Sequence, residues 1–592
     1  MKKKNERYLI TSADESTWKF DRPVIFLGEW CRIYNRKHIW KNMDAIVAKP
    51  YGLGQSQKNL DDSEARAIED KLFDSLYLLL NEYHDEKYSK RFWRIVLGHW
   101  IGRYVNLMLN RIKTLQQCLS KYQISGMTVY SNTDFYLITQ NSSLLDWASS
   151  DDRWNNILND CILNLLTEEK IAIETIKTNE STDIVFKSSR IQLSLKRDFL
   201  KWIYKHLGLL LSFFSGNNDA FIINSYLPLK EEVKLHFALG QLPQLWTEAE
   251  YNVIEKPNQI LRKNLATKFK IKSTDNHLEI MSTMLFELLP ICFLEDFSNL
   301  KKSTKKQPWP KNPKFIFTSN NFDTDEIFKL WTATKVDSGS KYFVGQHGNN
   351  FGTKQNMIGV VEELTCDKYI TWGWKDGLVQ HNPAFIFKTV GLTRKNYNPE
   401  GGLLLIELPL NHRINTWDDT SEFDNYFREQ QVFVDSLNNL PKEHLNIRLH
   451  PIFRQLSWHE EFRWKDFDQS LKLDTSDTNI FHLISRSRLV IHSYDSTGIL
   501  ETLSQNIPTL AFWQNDLEHL RDSAKPFYQL LVDAEIIHFT PESIAHKINE
   551  IWDDIDGWWM QKNVQDLRRQ FCNRYAKESQ NPIHELKTIL LE

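Results

Sequence analysis

Three stretches of this chain place groups that can move protons or hold anions directly after short apolar runs. Gly345-Gln346-His347-Gly348-Asn349-Asn350-Phe351-Gly352 follows Tyr342-Phe343-Val344. Its three glycines permit tight turns and close backbone approach, and they flank an imidazole able to act as general base on an acceptor hydroxyl. Arg448-Leu449-His450-Pro451 closes the run that starts at Leu445. The proline ends that run and fixes the loop, aiming His450 and Arg448 at a phosphate that His450 can donate to or protonate. His492-Ser493-Tyr494-Asp495-Ser496-Thr497-Gly498 follows Leu489-Val490-Ile491 and leads into a helix at Ile499. Ser496 or Thr497 suits its N-cap, and Gly498 lets a ligand approach the backbone. The hydroxyls of Ser493, Ser496 and Thr497, with the unpaired N–H groups of the helix start, describe an anion site. Glu501, about one turn in, is placed to reach a ribose hydroxyl. Two acidic loops complete the set: Glu29 after Val24–Leu27 as a second candidate base, and Asp323 after Phe315–Phe317 as helix cap or substrate contact.

Other chemistries lack their residues. No GxxxxGK[ST], GxGxxG, HExxH, GxSxG or EF-hand pattern occurs, which removes support for kinase-type ATP binding, nicotinamide cofactors, metalloproteolysis, α/β-hydrolase and calcium readings. Asp323-Thr324-Asp325 is a DxD at a helix start and weak evidence for a metal, so no divalent ion is required and no cofactor is implied. The six cysteines are scattered, with no CxxC, as in reduced, structural thiols. Lysine and arginine total 73 against 76 aspartate and glutamate, a balance that argues against a nucleic-acid partner. The basic N-terminus lacks the apolar run of a signal peptide. The most apolar later stretch, Leu207–Phe214, falls short of the roughly 20 residues a spanning helix needs. A cytoplasmic protein is expected. The 20 tryptophans suit sugar rings and bases, but each is first of all a core filler.

The elements that must position these loops are legible as alternating runs. Tyr8–Ile10, Val24–Leu27, Ala220–Ile223, Lys314–Phe317, Tyr342–Val344 and Tyr369–Trp372 read as buried parallel strands. Ser63–Tyr83 and Arg91–Tyr122 have helical spacing, Ile191–Leu195 alternates as a short strand, and helical spacing returns from Phe199, so a helix-rich block spans about 55–215. A second strand–helix series runs through Leu403–Ile406, Leu445–Leu449, Leu489–Ile491, Thr509–Phe512 and Ile536–His538. The expected fold is α/β and GT-B-like: two doubly wound Rossmann-like domains facing a cleft, with a large helical block in the N-terminal half. The expected division is an acceptor-side domain over 1–400, a donor-binding domain over 401–560 and a helical tail over 561–592. Residues 301–314, rich in lysine and proline, read as an irregular solvated connector or as a patch resting on an anionic membrane face.

Taken in order, GQHG, RLHP and SYDSTG with Glu501 resemble GT-B transferases that use cytidine-nucleotide donors. CDP-glycerol glycerophosphotransferases carry a similar histidine-glycine motif, a later His-Pro and a Ser-rich loop, although their motif reads WHGTP where this chain has GQHGNN. Sialyl- and Kdo-type transferases, which use CMP-sugars, likewise have an HP motif and a serine/threonine motif. LITSADESTWKFDRPVIFLGEW at the start and YITWGW at 369–374 look like a bacterial family of surface-carbohydrate transferases, over most of the chain. The resemblance implies that His450, Ser493, Ser496 and Thr497 hold the donor phosphate and that His347 is the acceptor base. It implies transfer of a sugar from a nucleotide-activated donor to a surface polysaccharide or lipid-linked glycan, with peripheral contact at the inner membrane face. Two alternatives stand beside it: polyol-phosphate transfer, and a non-catalytic nucleotide- or glycan-binding assembly protein.

Overall fold

The computed structural model describes residues 6–131, 136–167, 171–177, 208, 214–269, 271, 273–357, 359–392, 397–408, 423–451 and 459–592. The expected strand at 191–195 and the helical spacing from Phe199 to Phe213 lie outside them, apart from Gly208. Among the described residues sixteen strands form three sheets, and every strand pair within them is parallel.

The first sheet, in the order β3-β2-β1-β4-β5, holds β1 Glu6–Ile10, β2 Val24–Phe26, β3 Ala45–Val47, β4 Gln123–Tyr130 and β5 Ala172–Ile176. The second, β10-β9-β8-β7-β6, holds β6 Phe221–Ile223, β7 Phe315–Thr318, β8 Lys341–Gly345, β9 Lys368–Thr371 and β10 His381–Pro383. The third, β13-β12-β11-β14-β15-β16, holds β11 Gly402–Ile406, β12 Leu445–Arg448, β13 Lys472–Asp474, β14 Ser487–His492, β15 Thr509–Phe512 and β16 Ile537–His538. The α/β class with parallel sheets is therefore the one read from the sequence; the first and third sheets are doubly wound, and residues 1–400 build two sheets, the second of them in unbroken order β10-β9-β8-β7-β6. Strand order reverses between β1 and β4 and between β11 and β14, which opens a crevice at the carboxyl ends of those pairs.

Two long helices, Gln55–His84 and Lys90–Lys121, connect β3 to β4. The Ser89 hydroxyl caps the second by accepting from the Phe92 N–H at 3.0 Å. Their facing side chains, among them Leu72, Phe73, Leu76, Trp93, Ile101 and Leu109, are fully buried. The hairpin follows the first sheet in sequence but also packs on the second unit. Gly98 makes this possible, since a Cβ there would stand 2.6 Å from Val361 Cγ1, whose helix, Val361–Thr365, lies between β8 and β9. Gly102, one turn on, faces Glu69 in the same way at 3.3 Å.

The connector at 301–314 is helical at its start, because Phe297–Lys305 is one helix whose Phe297, Leu300 and Thr304 are buried. Only its proline-containing remainder is irregular. The tail is helical, and its last helix, Pro582–Leu591, returns to the second sheet, burying Leu586 and Leu590 against Ala220, Ile222, Phe317 and Ile370. Among the described residues no helix is long and apolar enough to cross a membrane.

Candidate functional site

The loop after β8 is fixed by its own glutamine. Gln346 Oε1 accepts from the Trp372 N–H and from Trp374 Nε1, each at 2.8 Å, while its Nε2 donates to the Gly348 carbonyl at 2.8 Å. His347, next in line, is half-buried. Its Nδ1 lies 3.2 Å from the Ser319 carbonyl oxygen at the end of β7. A carbonyl only accepts, so Nδ1 carries the ring proton and Nε2 keeps its lone pair. The Tyr226 hydroxyl stands 3.3 and 3.4 Å from the two ring nitrogens, with the rings edge to face. Burial lowers the imidazole pKa from its ordinary value, and the ammonium of Lys388 lowers it further. His347 is thus held neutral, the form a base requires.

His347 lines a cavity of about 450 Å³ together with Asp323, Arg103, His99, Glu362 and Arg66. Arg103 of the Lys90–Lys121 helix grips Asp323 with two parallel bonds of 2.6 Å and reaches Asp146 at 3.2 Å. Burial pushes the Asp323 carboxyl up, and the charge and hydrogen bonds of Arg103 more than offset it, leaving it well below the usual carboxylate range. The expectation that Asp323 caps the next helix is corrected: Asp325 does so, accepting from the Phe328 N–H at 2.9 Å. Asp323 instead ties the helical hairpin to the loop after β7. Glu29 is chelated by Arg32, with Nη2 2.6 Å from Oε2, in a short turn after β2. It does not line the His347 cavity.

The loop after β14 meets the His347 loop directly. The Asn349 N–H donates to Thr497 Oγ1 at 3.0 Å, and Asn349 Nδ2 donates to Asp495 Oδ1 at 2.7 Å. Gly348 is required here, since a Cβ would stand 2.7 Å from Thr497 Oγ1. Asp495 also accepts from the Tyr528 hydroxyl at 3.1 Å and lies 3.1 Å from His519 Nε2. The hydroxyls expected to face an anion have protein partners. Ser493 donates to the Ile406 carbonyl at 2.9 Å and meets the Tyr426 hydroxyl at 2.7 Å; Ser496 bonds His492 Nδ1 at 3.0 Å; Thr497 accepts from Asn349. Ser496 is the N-cap residue of the helix Thr497–Ser504, without a side-chain capping bond, and Gly498 packs where a Cβ would press to 2.5 Å from His492 Cε1. The first N–H groups of that helix are what the loop offers an anion.

The remaining residues expected on the donor side divide. His450 follows β12 and is half-buried, and its pKa falls to about 4 through burial and the charge of Arg448. Arg448 pairs with Asp474 on the neighbouring strand. Glu501 lies 3.6 Å from Lys388, whose ammonium sits 4.8 Å over the Tyr226 ring. Glu501, Lys388, Tyr226 and His347 therefore form a continuous line from the third unit to the candidate base.

Several residues here escaped the sequence reading. His99 and Arg103 share one helix face with Gly98 and Gly102, a spacing that marks close approach at a polar face. Tyr226 has φ of 65°, and the Asn224-Ser225-Tyr226 turn after β6 was a strand-end signal of the kind used elsewhere. Glu407, after β11 at the crevice beside Ser493, is 3% exposed and its carboxyl is pushed to about 8 by burial and by Glu460. Among the described residues Glu64, Asp275 and His277 could share a cation, but Lys113 Nζ already lies 2.5 Å from Glu64, and Asp275 caps a helix.

No curated protein matches the chain. Among solved structures, the spinosyn rhamnosyltransferase SpnG is similar over 50% of this chain and 80% of its own, at 9% identity and a TM-score of 0.29. The wall teichoic acid polymerase TagF is similar over 48% and 73%, at 10% identity and 0.27. HepE from Anabaena, in complex with UDP and glucose, is similar over 57% and 96%, at 8% identity and 0.31. The family model described as LIC12162 family transferase matches residues 7–590, and the chain belongs to that family of transferases.

Proposed function

We propose that this transferase moves a glycosyl unit from a nucleotide-activated donor to a hydroxyl of a surface polysaccharide or lipid-linked glycan. The observation that carries the reading is His347: a neutral imidazole with its proton committed to the Ser319 carbonyl, Nε2 left as the base, and a cavity of about 450 Å³ in front of it. Nε2 takes the acceptor proton as the hydroxyl oxygen attacks the anomeric carbon, and the nucleotide phosphate leaves on the side of the third sheet. There the start of the Thr497–Ser504 helix and His450 receive it, His450 neutral and able to donate one N–H. Ser493, Ser496 and Thr497 act by holding that loop in place. Cytidine nucleotides head the donors to be tested, because RLHP and SYDSTG resemble the motifs of transferases that use them. The lysines at 301–314 are the surface we assign to peripheral contact with an anionic membrane.

The test is thermal stabilisation by CMP, CDP, UDP and GDP, followed by product analysis with the matching nucleotide sugars. A ligand at 100 times its dissociation constant adds about 2.7 kcal/mol. The reading predicts stabilisation by one nucleotide class, reduced in His450→Ala, and transfer that His347→Ala removes while nucleotide stabilisation persists. Absence of stabilisation by every nucleotide contradicts it.

A further inference from the structure

On the wall contributed by the helical hairpin, the same cavity carries a second histidine, which the mechanism above does not use. His99 stacks on Phe322 with ring centroids 5.2 Å apart, and Phe322 in turn meets His347 edge to face at 6.3 Å. His99 Nε2 lies 3.5 Å from Glu362 Oε2 at the start of the helix Val361–Thr365. Both atoms are buried, and apart from each other neither has a polar partner. Burial pushes the Glu362 carboxyl up to about 8 and the His99 imidazole down to about 4, so at neutral pH both are uncharged. The carboxyl proton then belongs on the oxygen facing Nε2, and the ring N–H belongs on Nδ1. Among the described residues Nδ1 has no protein partner, and His99 lines the cavity.

The charges around it define what can enter. Arg66 is bound to Asp62 at 2.8 Å, Arg94 to Glu69 at 2.7 Å and Asp70 at 3.0 Å, and Arg103 to Asp323 at 2.6 Å. Every lining guanidinium is matched by a carboxylate, which leaves nothing to compensate a phosphate or uronate.

We propose that His99, oriented by Glu362, is a second substrate-contacting residue that binds a hydroxyl of a neutral saccharide acceptor in the cavity faced by His347. The inference rests on the transferase reading for the word acceptor, but the binding site stands on its own geometry. Glu362 is a positioning residue: its O–H fixes the ring so that Nδ1–H points at the sugar.

The experiment is saturation-transfer NMR on the full chain with methyl glucoside, methyl galactoside, methyl mannoside and methyl N-acetylglucosaminide as neutral probes, and with glucuronate and glucose 6-phosphate as charged ones. At least one neutral glycoside is expected to bind in the millimolar range, and the charged sugars are not. His99→Leu should weaken that glycoside by about tenfold, the worth of one hydrogen bond in a desolvated site. His99→Asn, which keeps a donor near the Nδ1 position, should bind it as wild type does. Glu362→Leu should weaken binding and Glu362→Gln restore it, because the amide still donates to Nε2. Preference for a charged sugar, undiminished binding in His99→Leu, or no binding by any neutral probe overturns the proposal. If Glu362→Leu fails to fold, the His99 pair decides. Nucleotide stabilisation is measured on the same samples: its loss in wild type with the glycoside pattern intact sinks the transferase reading and leaves this site, whereas normal stabilisation without glycoside binding does the reverse.

Discussion

The loops at 345–352 and 492–498 start from the same design and end differently. Each follows a buried parallel strand, each mixes histidine, glycine and small polar residues, and the two touch through Asn349, Asp495 and Thr497. In the first, one ring nitrogen of His347 is committed to the backbone, the other meets the Tyr226 hydroxyl at 3.4 Å, and the ring lines a cavity. In the second, Ser493, Ser496, Thr497 and Asp495 all bond to protein. A polar residue after a strand is thus placed at a functional edge by topology, but its neighbours decide whether it does chemistry or holds the edge together.

The comparison breaks most visibly at His347. If this loop is the reactive one, His347→Ala should lower transfer by about 10²–10⁴-fold, the usual contribution of a positioned base, while urea unfolding is unchanged. If the second loop is structural, Asp495→Ala should act the other way. It leaves Asn349, Tyr528 and His519 without their shared acceptor and should cost about 3 kcal/mol, read as a shift in the urea midpoint. Ser496→Ala removes one neutral bond and should cost about 1 kcal/mol with nucleotide binding retained. A large loss of binding without loss of stability would instead make Ser496 a donor contact.

Asp323 tests the cavity wall beside the first loop. Asp323→Asn keeps the shape and removes the charge facing Arg103, so stability should fall by about 1.5–3 kcal/mol near neutrality. The folded carboxyl titrates below its unfolded value, so the contribution is present above the unfolded pKa of about 3.9 and is lost as pH falls through the lower folded value. The gap between wild type and variant should stay constant from about pH 5 to 8 and close below about pH 4.

Much of this was legible in the sequence because buried parallel strands are written in apolar residues. Leu403–Leu405, Phe315–Phe317 and Tyr342–Val344 are covered on both faces. The strands that escaped are mostly edges: β3, β5, β10 and β13 end their sheets, and Ala172-Ile173-Glu174 is exposed. With one side uncovered, no apolar run is required. β4 is the exception, an interior strand entered straight from a helix at Gln123. The candidate base was legible from its flanking glycines. His99 and Arg103 were not, because they sit on a helix more than 200 residues upstream of the loops they face, and only the way Gly98 lets that helix dock brings them to the cavity. That residues 1–400 build two sheets was hidden for the same reason: strands reveal themselves singly, and the sequence does not say which of them pair.

The central claim is that a neutral His347 accepts the proton, and the pH dependence of transfer in wild type and Lys388→Gln tests it most directly. Burial and the Lys388 charge both lower the imidazole pKa, so wild-type activity should persist at pH 6.5, the ordinary histidine value, and fall only on further acidification. Removing the Lys388 charge should move that acid limb to higher pH. An acid limb that stays in place in Lys388→Gln, or lies above 6.5 in wild type, would contradict the assignment of His347 as the base.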